Sequence, residues 1–458
     1  MAEHNVTVES TLNTLLDEKK YPTVRDILIT MNPSDVASIL DELPEERLPL
    51  LFRLLPKEQA AETFVEMEPE AQELLIRGFS DSELREVLDE LYVDDAVDIV
   101  EEMPANVVRR ILSQADPQMR KEINEILRYP ENSAGSIMTT EYVSLRPGMT
   151  VEESILRIRR TGVDKETIYT CYVTRDRTLV GLVTVKDLLL AQDDDLKIEE
   201  LMETNVISVN THTDQEDVAQ MFAKYNFLAL PVVDAESRMV GIITFDDAMD
   251  VMEDEATEDM EIMGGMTPSD KTYLRSTVFD LFKHRIPWLL LLMVSATFTG
   301  LIITNFESAL AAQVALTAFI PMLMDTGGNS GSQSSVTVIR AISLDEIEFS
   351  DLPRIVWKEI RTAVLCGATL AAACFVKIML VDRLLMRNES ITVTVAVVVC
   401  ITMALTVLIA KIIGAVLPMC AKKIGLDPAV MASPFITTIV DALSLLIYFG
   451  VATTLLPM

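Results

Sequence analysis

Hydrophobic positions divide the 458-residue chain into three regimes. Over residues 32–127 they recur at helical spacing inside a repeat of 24 residues, whose units begin at Asn32, Pro56, Ser80 and Pro104. Matched apolar positions are Val36, Ala60, Leu84 and Val108, then Leu40, Phe64, Leu88 and Leu112, then Leu51, Leu75, Ile99 and Ile123. Each unit breaks near its middle, at Pro44, Pro69, Tyr92-Val93 and Pro117. The pattern predicts two short helices per unit, stacked as a small solenoid of either hand. Residues 137–256 hold a longer duplication. LVGLVTVKDLL (179–189) matches MVGIITFDDAM (239–249), each with a β-branched run, a Gly, a Thr and an Asp three residues after the Thr. Upstream, IMTTEYVSLRPGMTVEESI resembles LMETNVISVNTHTDQEDVA, and strands TCYVT and LPVVD fall between the markers. This predicts a β-α-β-β-α unit occurring twice.

From residue 286 onward the apolar runs are long enough to cross a bilayer, which takes roughly 20 residues each. Five spans are predicted: Pro287–Phe306, Leu310–Ile339, Ala363–Val381, Ile391–Val416 and Ala429–Leu456. The second is interrupted by the polar, glycine-rich DTGGNSGSQSS (325–335), which cannot face lipid and must be buried in protein or line a wet cavity. Lys283, Arg285, Arg340, Arg354, Lys358, Arg361, Lys422 and Lys423 flank the spans on one side, and only Arg383 and Arg387 on the other. The basic side is cytoplasmic by the usual bias, which puts the amino-terminal half inside and the carboxyl terminus outside. Residues 252–263 read as an acidic helix, and Lys271–Arg285 as a mixed connecting helix entering the membrane. The expected domains are 1–130, a helical-repeat domain; 131–256, the duplicated α/β pair; 257–285, the connecting helix; and 286–458, five helical spans.

The last span carries Asp441. It lies 12 residues past Ala429, about 18 Å into the membrane by helical rise. A carboxylate at that depth is costly and marks a functional site unless it is paired. Lys411 is a poor partner, near the inner end of its span. Lys377, at about 21 Å by the same rise, is the better one, though its stem could snorkel outward. The second-span segment supplies the alternative to an ion pair. Gly327, Gly328 and Gly331 allow close backbone approach, and Asn329, Ser330, Ser332 and Gln333 offer neutral oxygens. Carboxylate, carbonyl and amide oxygens suit hard cations such as Mg²⁺, and Mg²⁺ dehydrates reluctantly, so a path for it has to hold the hydrated ion. The bland reading of the glycines is tight helix packing.

Charge sharpens the picture. Residues 1–270 carry 24 Lys+Arg against 58 Asp+Glu, a net of −34, whereas residues 271–458 carry 14 against 12, a net of +2. This disfavours nucleic acid as a partner, because phosphates are neutralised by Lys and Arg. It is compatible with divalent cations or with a merely solubilising surface. The beginning of the chain lacks a basic and then apolar leader, so no secretory signal is expected. Five scattered cysteines and three distant histidines form neither a disulfide framework nor a zinc motif. No nucleophile–base pair or Walker motif is visible, so the chain does not read as an enzyme.

The duplicated motif resembles a tandem CBS pair. That resemblance implies adenine nucleotide in the cleft between the copies, with the ribose-holding Asp mapping to Asp187 and Asp247 and with Tyr169, Phe227 and Leu228 as further nucleotide positions; a packing-only pair is the alternative. The whole chain is similar to the MgtE family of magnesium channels, on PMLMDTGGNSGSQSS (321–335), DPAVMASPFITTIVDALSLLIYF (427–449) and EATEDMEIMG (255–264). The resemblance implies a homodimer in the plasma membrane with a pore on its two-fold axis. Asp441 would select the ion, and Gly327, Gly328, Asn329 and Thr437 would line the pore. Cytosolic Mg²⁺ would hold the channel shut by binding Asp94, Asp95, Glu216, Asp247, Asp250, Glu255, Glu258, Asp259, Glu359 and Asp427. The resemblance departs at Asn226, where an Asp is expected and an amide weakens one sensor site, and at Ser433, where some relatives have Asn; both bear on local ion sites and leave the main motif untouched. Two other readings stay open: a transporter of Co²⁺, Ni²⁺ or Mn²⁺, disfavoured because nothing in the pore is soft or imidazole-rich, and a cation-coupled exchanger using Asp441. A CBS nucleotide sensor with a membrane anchor would not need a polar break and a buried acid.

Overall fold

The computed structural model describes residues 11–269, 273, 276–387 and 390–456. The chain forms two compact units, Met1–Met252 and Glu253–Met458. In the first unit the 24-residue period is a period of helices. The leading helix of each repeat starts at Pro33, Lys57, Asp81 and Ala105, and the trailing ones at Leu48, Pro69, Val93 and Pro117. The starts follow local chemistry. Asn32 and Asp116 accept hydrogen bonds from the first-turn amides of the helices they precede, Ser80 and Glu83 make a reciprocal capping box, and several helices have proline in their first turn. Matched apolar residues Val36, Leu40, Leu51, Phe64, Leu75, Leu84, Leu88, Ile99 and Ile123 are all buried in one core, with Phe52, Phe64 and Phe79 in mutual ring contact.

The duplication gives two three-stranded sheets. In the first, Tyr142–Leu145 pairs parallel with Thr167–Arg175, which pairs antiparallel with Thr178–Thr184. In the second, Val209–Asn210, Ala229–Val233 and Met239–Thr244 repeat the same order and directions. Helices Val151–Thr161, Val185–Leu190, Gln215–Tyr225 and Phe245–Met263 complete the β-α-β-β-α units. The duplicated glycines have matched jobs. A Cβ on Gly181 would meet Met202 Sδ at 2.6 Å and the Glu203 carbonyl at 2.9 Å; one on Gly241 would meet the Thr139 carbonyl at 2.6 Å and Met138 Sδ at 2.7 Å. Each glycine lets the methionine-bearing segment of the other repeat cross its strand. Bridges Leu182↔Glu203 and Thr139↔Ile242 form at these crossings.

In the second unit, four helical stretches among the described residues are long and apolar enough to cross a membrane: Val278–Asn305, Phe349–Leu385, Val393–Lys423 and Pro428–Leu455. A fifth long helix, Ile320–Ser343, is too polar to stand with them by composition, yet it packs directly against Val393–Lys423 and Ser433–Leu455. The expected interruption at 325–335 does not occur. The glycine-rich run stays helical, because neighbouring helices approach closely enough to cover its bare backbone. The separate connecting helix over Lys271–Arg285 is also replaced. The acidic run is the end of one helix, Phe245–Met263, and the next begins at Val278, capped by Thr277 and Asp280, and runs without a break to Asn305. Residues 270–272, 274 and 275, where the connecting helix was expected to begin, lie outside the described residues. The third span starts earlier than expected, at Leu352, and ends in a π-helix over Ile378–Leu385.

Candidate functional site

The glycine helix Ile320–Ser343 positions the membrane site by what it packs and what it leaves open. A Cβ on Gly327 would meet Thr406 Cγ2 at 2.6 Å, Ser444 Oγ at 2.9 Å and Val440 Cγ1 at 3.0 Å; one on Gly328 would meet Thr437 Cγ2 at 2.9 Å. Gly331 lies against Ile436 and the Ala410 carbonyl, and Gly414 against the Gly331 backbone. Gly327, Gly328 and Gly331 are therefore contact points with the final helix, Ser433–Leu455, and with Val393–Lys423. The opposite face carries Asp325, Asn329 and Gln333, four residues apart and all exposed, on one side of the helix. Asn329 Nδ2 donates to Asp325 Oδ1 at 3.0 Å.

Asp441 is half-buried on the final helix, one turn beyond Thr437, and its Oδ1 is shielded from solvent with no hydrogen-bond partner. The ion pair with Lys377 does not form. Lys377 Nζ binds Asp382 Oδ2 at 2.9 Å and sits over the Phe319 ring. The π-helix explains the pairing, since its wider turn aligns residues five apart. Lys411 is buried and donates to Ser334 Oγ at 3.3 Å; Ser334 Oγ donates to Glu359 Oε2 at 2.7 Å. Glu359 is thus tied to a lysine through a serine within the helical bundle. Asp325 stands on the helix Ile320–Ser343, which packs directly against the helix carrying Asp441. Asp325 was missed in the sequence, where it reads only as the first residue of the polar run; its spacing of four from Asn329 was the available signal.

In the first unit the acids do converge. Asp94 is 7% exposed, and its carboxylate oxygen lies within 4.8 Å of oxygens of Glu141 and Glu166. Asp94 Oδ1 and Glu166 Oε2 are buried without hydrogen-bond partners, while Glu141 Oε2 accepts from the Val93 amide at 3.4 Å. Burial, and then the charges of Asp247 and Asp95, hold the Asp94 carboxyl well above the usual carboxylate range. Burial and neighbouring acids push Asp95 to about 7 and Glu166 to about 8. Asp247 is raised by burial, against an opposing hydrogen bond from Thr244. Asp94, Asp95 and Asp247 were expected among the sensor acids; Glu141, within the first copy of the duplicated stretch, and Glu166, between the quoted stretches, were not singled out. An unpartnered buried carboxylate oxygen facing two more carboxylates fits a hard divalent cation.

The other expected acids have local partners. Glu216 accepts from Gln220 Nε2 at 3.3 Å, and Asp250 lies on the helix Phe245–Met263 just before the division of the units. Glu255, Glu258 and Asp259 occupy the end of that helix, in the second unit. Asp259 accepts from Ser343 Oγ at 3.1 Å, and burial raises its carboxyl, with Asp427 adding to the effect and Arg340 opposing it. Asp427 caps the short helix Pro428–Met431 through the Ala429 amide at 2.7 Å. Asn226 ends helix Gln215–Tyr225 at φ 55°, a left-handed conformation that asparagine tolerates better than most side chains. Among the nucleotide positions, Asp187 caps its own helix with Thr184, Phe227 stacks on Tyr225 at 5.3 Å, and Tyr169 and Leu228 are 67% and 62% exposed.

Three family models match. One for a divalent cation transporter covers residues 320–451, one for an MgtE intracellular N domain covers 31–132, and one for a CBS domain covers 134–194 and 198–254. The magnesium transporter MgtE of Thermus thermophilus is 37% identical over 97% of this chain and 98% of its own length. The chain belongs to the MgtE family. The Bacillus subtilis magnesium transporter MgtE is 33% identical over 96% of this chain and 95% of its own. Among solved structures, the cytosolic domain of the Mg²⁺ channel MgtE in complex with ATP is 40% identical, with a TM-score of 0.51, over 53% of this chain and 99% of that one. The soluble part of a magnesium transporter matches at 31% identity and the same TM-score, over 56% of this chain and all of that one. The chain is accordingly a multi-pass membrane protein of a transporter family and not an enzyme, with its solenoid and CBS pair built as in the cytosolic domains of its relatives.

Proposed function

We propose that the chain is a Mg²⁺-selective channel of the plasma membrane, open when cytosolic Mg²⁺ is scarce and closed when it is abundant. The observation that carries the proposal is Asp441, a half-buried membrane carboxylate without a cationic partner among the described residues. On the helix packed against it runs an exposed polar stripe, Asp325, Asn329 and Gln333, opposite the glycines that make its helix contacts. Polar groups at membrane depth need water or protein around them, and a second copy of the chain facing this stripe would enclose a wet path between two Asp441 side chains. That supports a homodimer with its pore on the two-fold axis. Gly327, Gly328 and Thr437 would hold the helix pair that shapes the wall, and Asp441 and Asn329 would face the ion. The lining is oxygen-only, which suits Mg²⁺ retaining its water shell. The full-length relatives named as magnesium transporters point to the same ion.

Closure would come from cytosolic Mg²⁺. Asp94, Glu141 and Glu166, with Asp95 and Asp247 alongside, would hold one ion and cross-link the solenoid to the CBS pair. Glu216, Asp250, Glu255, Glu258, Asp259 and Asp427 would supply further weak sites. Without Mg²⁺ the acids repel; with it the closed packing wins. ATP at the CBS pair, near Tyr169, Asp187, Phe227 and Leu228, is proposed by likeness to the ATP-bound relative. The basic flanks of the spans support an inside amino terminus and an outside carboxyl terminus. The test is growth of a Mg²⁺-starved host lacking its own uptake systems. The chain should restore growth on low Mg²⁺, and failure to do so while present in the membrane would reject the proposal.

A further inference from the structure

From the bond between Asn329 and Asp325 we infer that Asp325 is a positioning and selectivity residue: it turns the amide of Asn329 so that its oxygen serves the ion, and it adds a second carboxylate beside Asp441. The inference rests on the channel reading above. An asparagine side chain has a donor end and an acceptor end, and a neighbour decides which faces the path. An ionised aspartate only accepts hydrogen bonds, so Asp325 Oδ1 takes the Asn329 Nδ2 group at 3.0 Å and the amide oxygen is turned away from it. A hydrated Mg²⁺ presents outward-pointing O–H groups, which are donors, so its path has to be lined by acceptors. Asn329 meets that requirement only in the orientation Asp325 imposes. The same carboxylate stands on a helix packed directly against the one that carries Asp441, whose Oδ1 is unpartnered. Two carboxylates per protomer favour a divalent over a monovalent ion, because attraction scales with the ion's charge. The side chain is exposed in the protomer, so its removal leaves no cavity in the core.

The test compares wild type, Asp325→Asn and Asp325→Glu in liposomes, reading Mg²⁺ flux against external Mg²⁺ and block by cobalt(III) hexammine. That complex is an exchange-inert ball of N–H donors with the shape of hydrated Mg²⁺. Losing one oriented, charge-assisted contact predicts that Asp325→Asn raises the half-saturating Mg²⁺ concentration and weakens the block by about tenfold each. The maximal flux should change less, and Asp325→Glu, which keeps the acceptor, should recover most of both. Half-saturation and block unchanged in Asp325→Asn would overturn the assignment. So would an Asp325→Glu chain as impaired as Asp325→Asn while remaining monodisperse. A wild-type chain that moves no Mg²⁺ would instead reject the channel reading, and this assignment with it.

Discussion

At the scale of single residues, the membrane half is governed by how close its helices come. Gly331 allows the Ala410 carbonyl within 3.2 Å of where a Cβ would lie and Ile436 Cγ2 within 2.7 Å, whereas Gly300 has nothing within 4 Å. Gly331→Ala should therefore destabilise the protein by about 1–3 kcal/mol through overpacking. Gly300→Ala should be neutral or slightly stabilising. Thermal unfolding of the purified chain separates the two, and equal effects would show that helix contact is not what Gly331 provides. Asn226 offers a second residue-scale test, because its φ of 55° is costly for branched side chains. Asn226→Val should cost about 1–2 kcal/mol and Asn226→Gly should cost little. If both were equally tolerated, the left-handed turn would not explain why an amide sits there. Residue chemistry was only partly legible in the sequence. Asp441 stood out because a carboxylate in an apolar run is expensive, and Asn329 because it lies in the polar, glycine-rich run of the second span. The true partner of Lys377 did not, because pairing with Asp382 depends on a π-helix that shifts the spacing from four residues to five.

At the scale of elements, legibility followed the strength of the period. The solenoid was readable to within a residue of each helix start except the first trailing one, where the break at Pro44 precedes the helix at Leu48, because prolines and capping residues recur every 24 positions together with the apolar pattern. The two CBS units were readable because both halves repeat a Met, a Gly, a Thr and an Asp whose roles are the same in each: strand crossing at Gly181 and Gly241, and helix capping at Thr184–Asp187 and Thr244–Asp247. The glycine-rich membrane run misled. Glycine lowers helix propensity by roughly 1 kcal/mol per residue, and packing on two sides outweighs that cost, so the polar interruption of the apolar pattern is not a break in the helix. The acidic run 252–263 and the first span were assigned correctly as helix, yet the junction between them was not. A turn through Gly264 and Gly265, the latter at φ +73°, and a new cap at Thr277 divide what read as one connecting helix.

At the scale of the molecule, the excess of negative charge in the amino-terminal half becomes a physical handle. With Asp95 held near 7 and Glu166 near 8, the folded form keeps protons that the unfolded chain releases from about pH 4 upward. Stability present at acid pH is therefore lost as pH rises through 7 to 8. Without divalent ions, the unfolding temperature of the first unit in the purified chain should fall between about pH 5.5 and about pH 8, and added Mg²⁺ should restore it at the upper pH. A rise toward pH 8 in chelator would contradict the clustered, buried carboxylates. Neutralising Glu255, Glu258 and Asp259 together should leave flux running at high internal Mg²⁺, and normal closure in that variant would sink the gating account. The central claim, that Asp441 is where this chain meets the ion, is tested most directly by Mg²⁺ flux into liposomes holding wild type or Asp441→Asn at equal density. The account predicts saturable, counter-ion-independent flux for wild type and background flux for the variant. Equal flux from the two would contradict it.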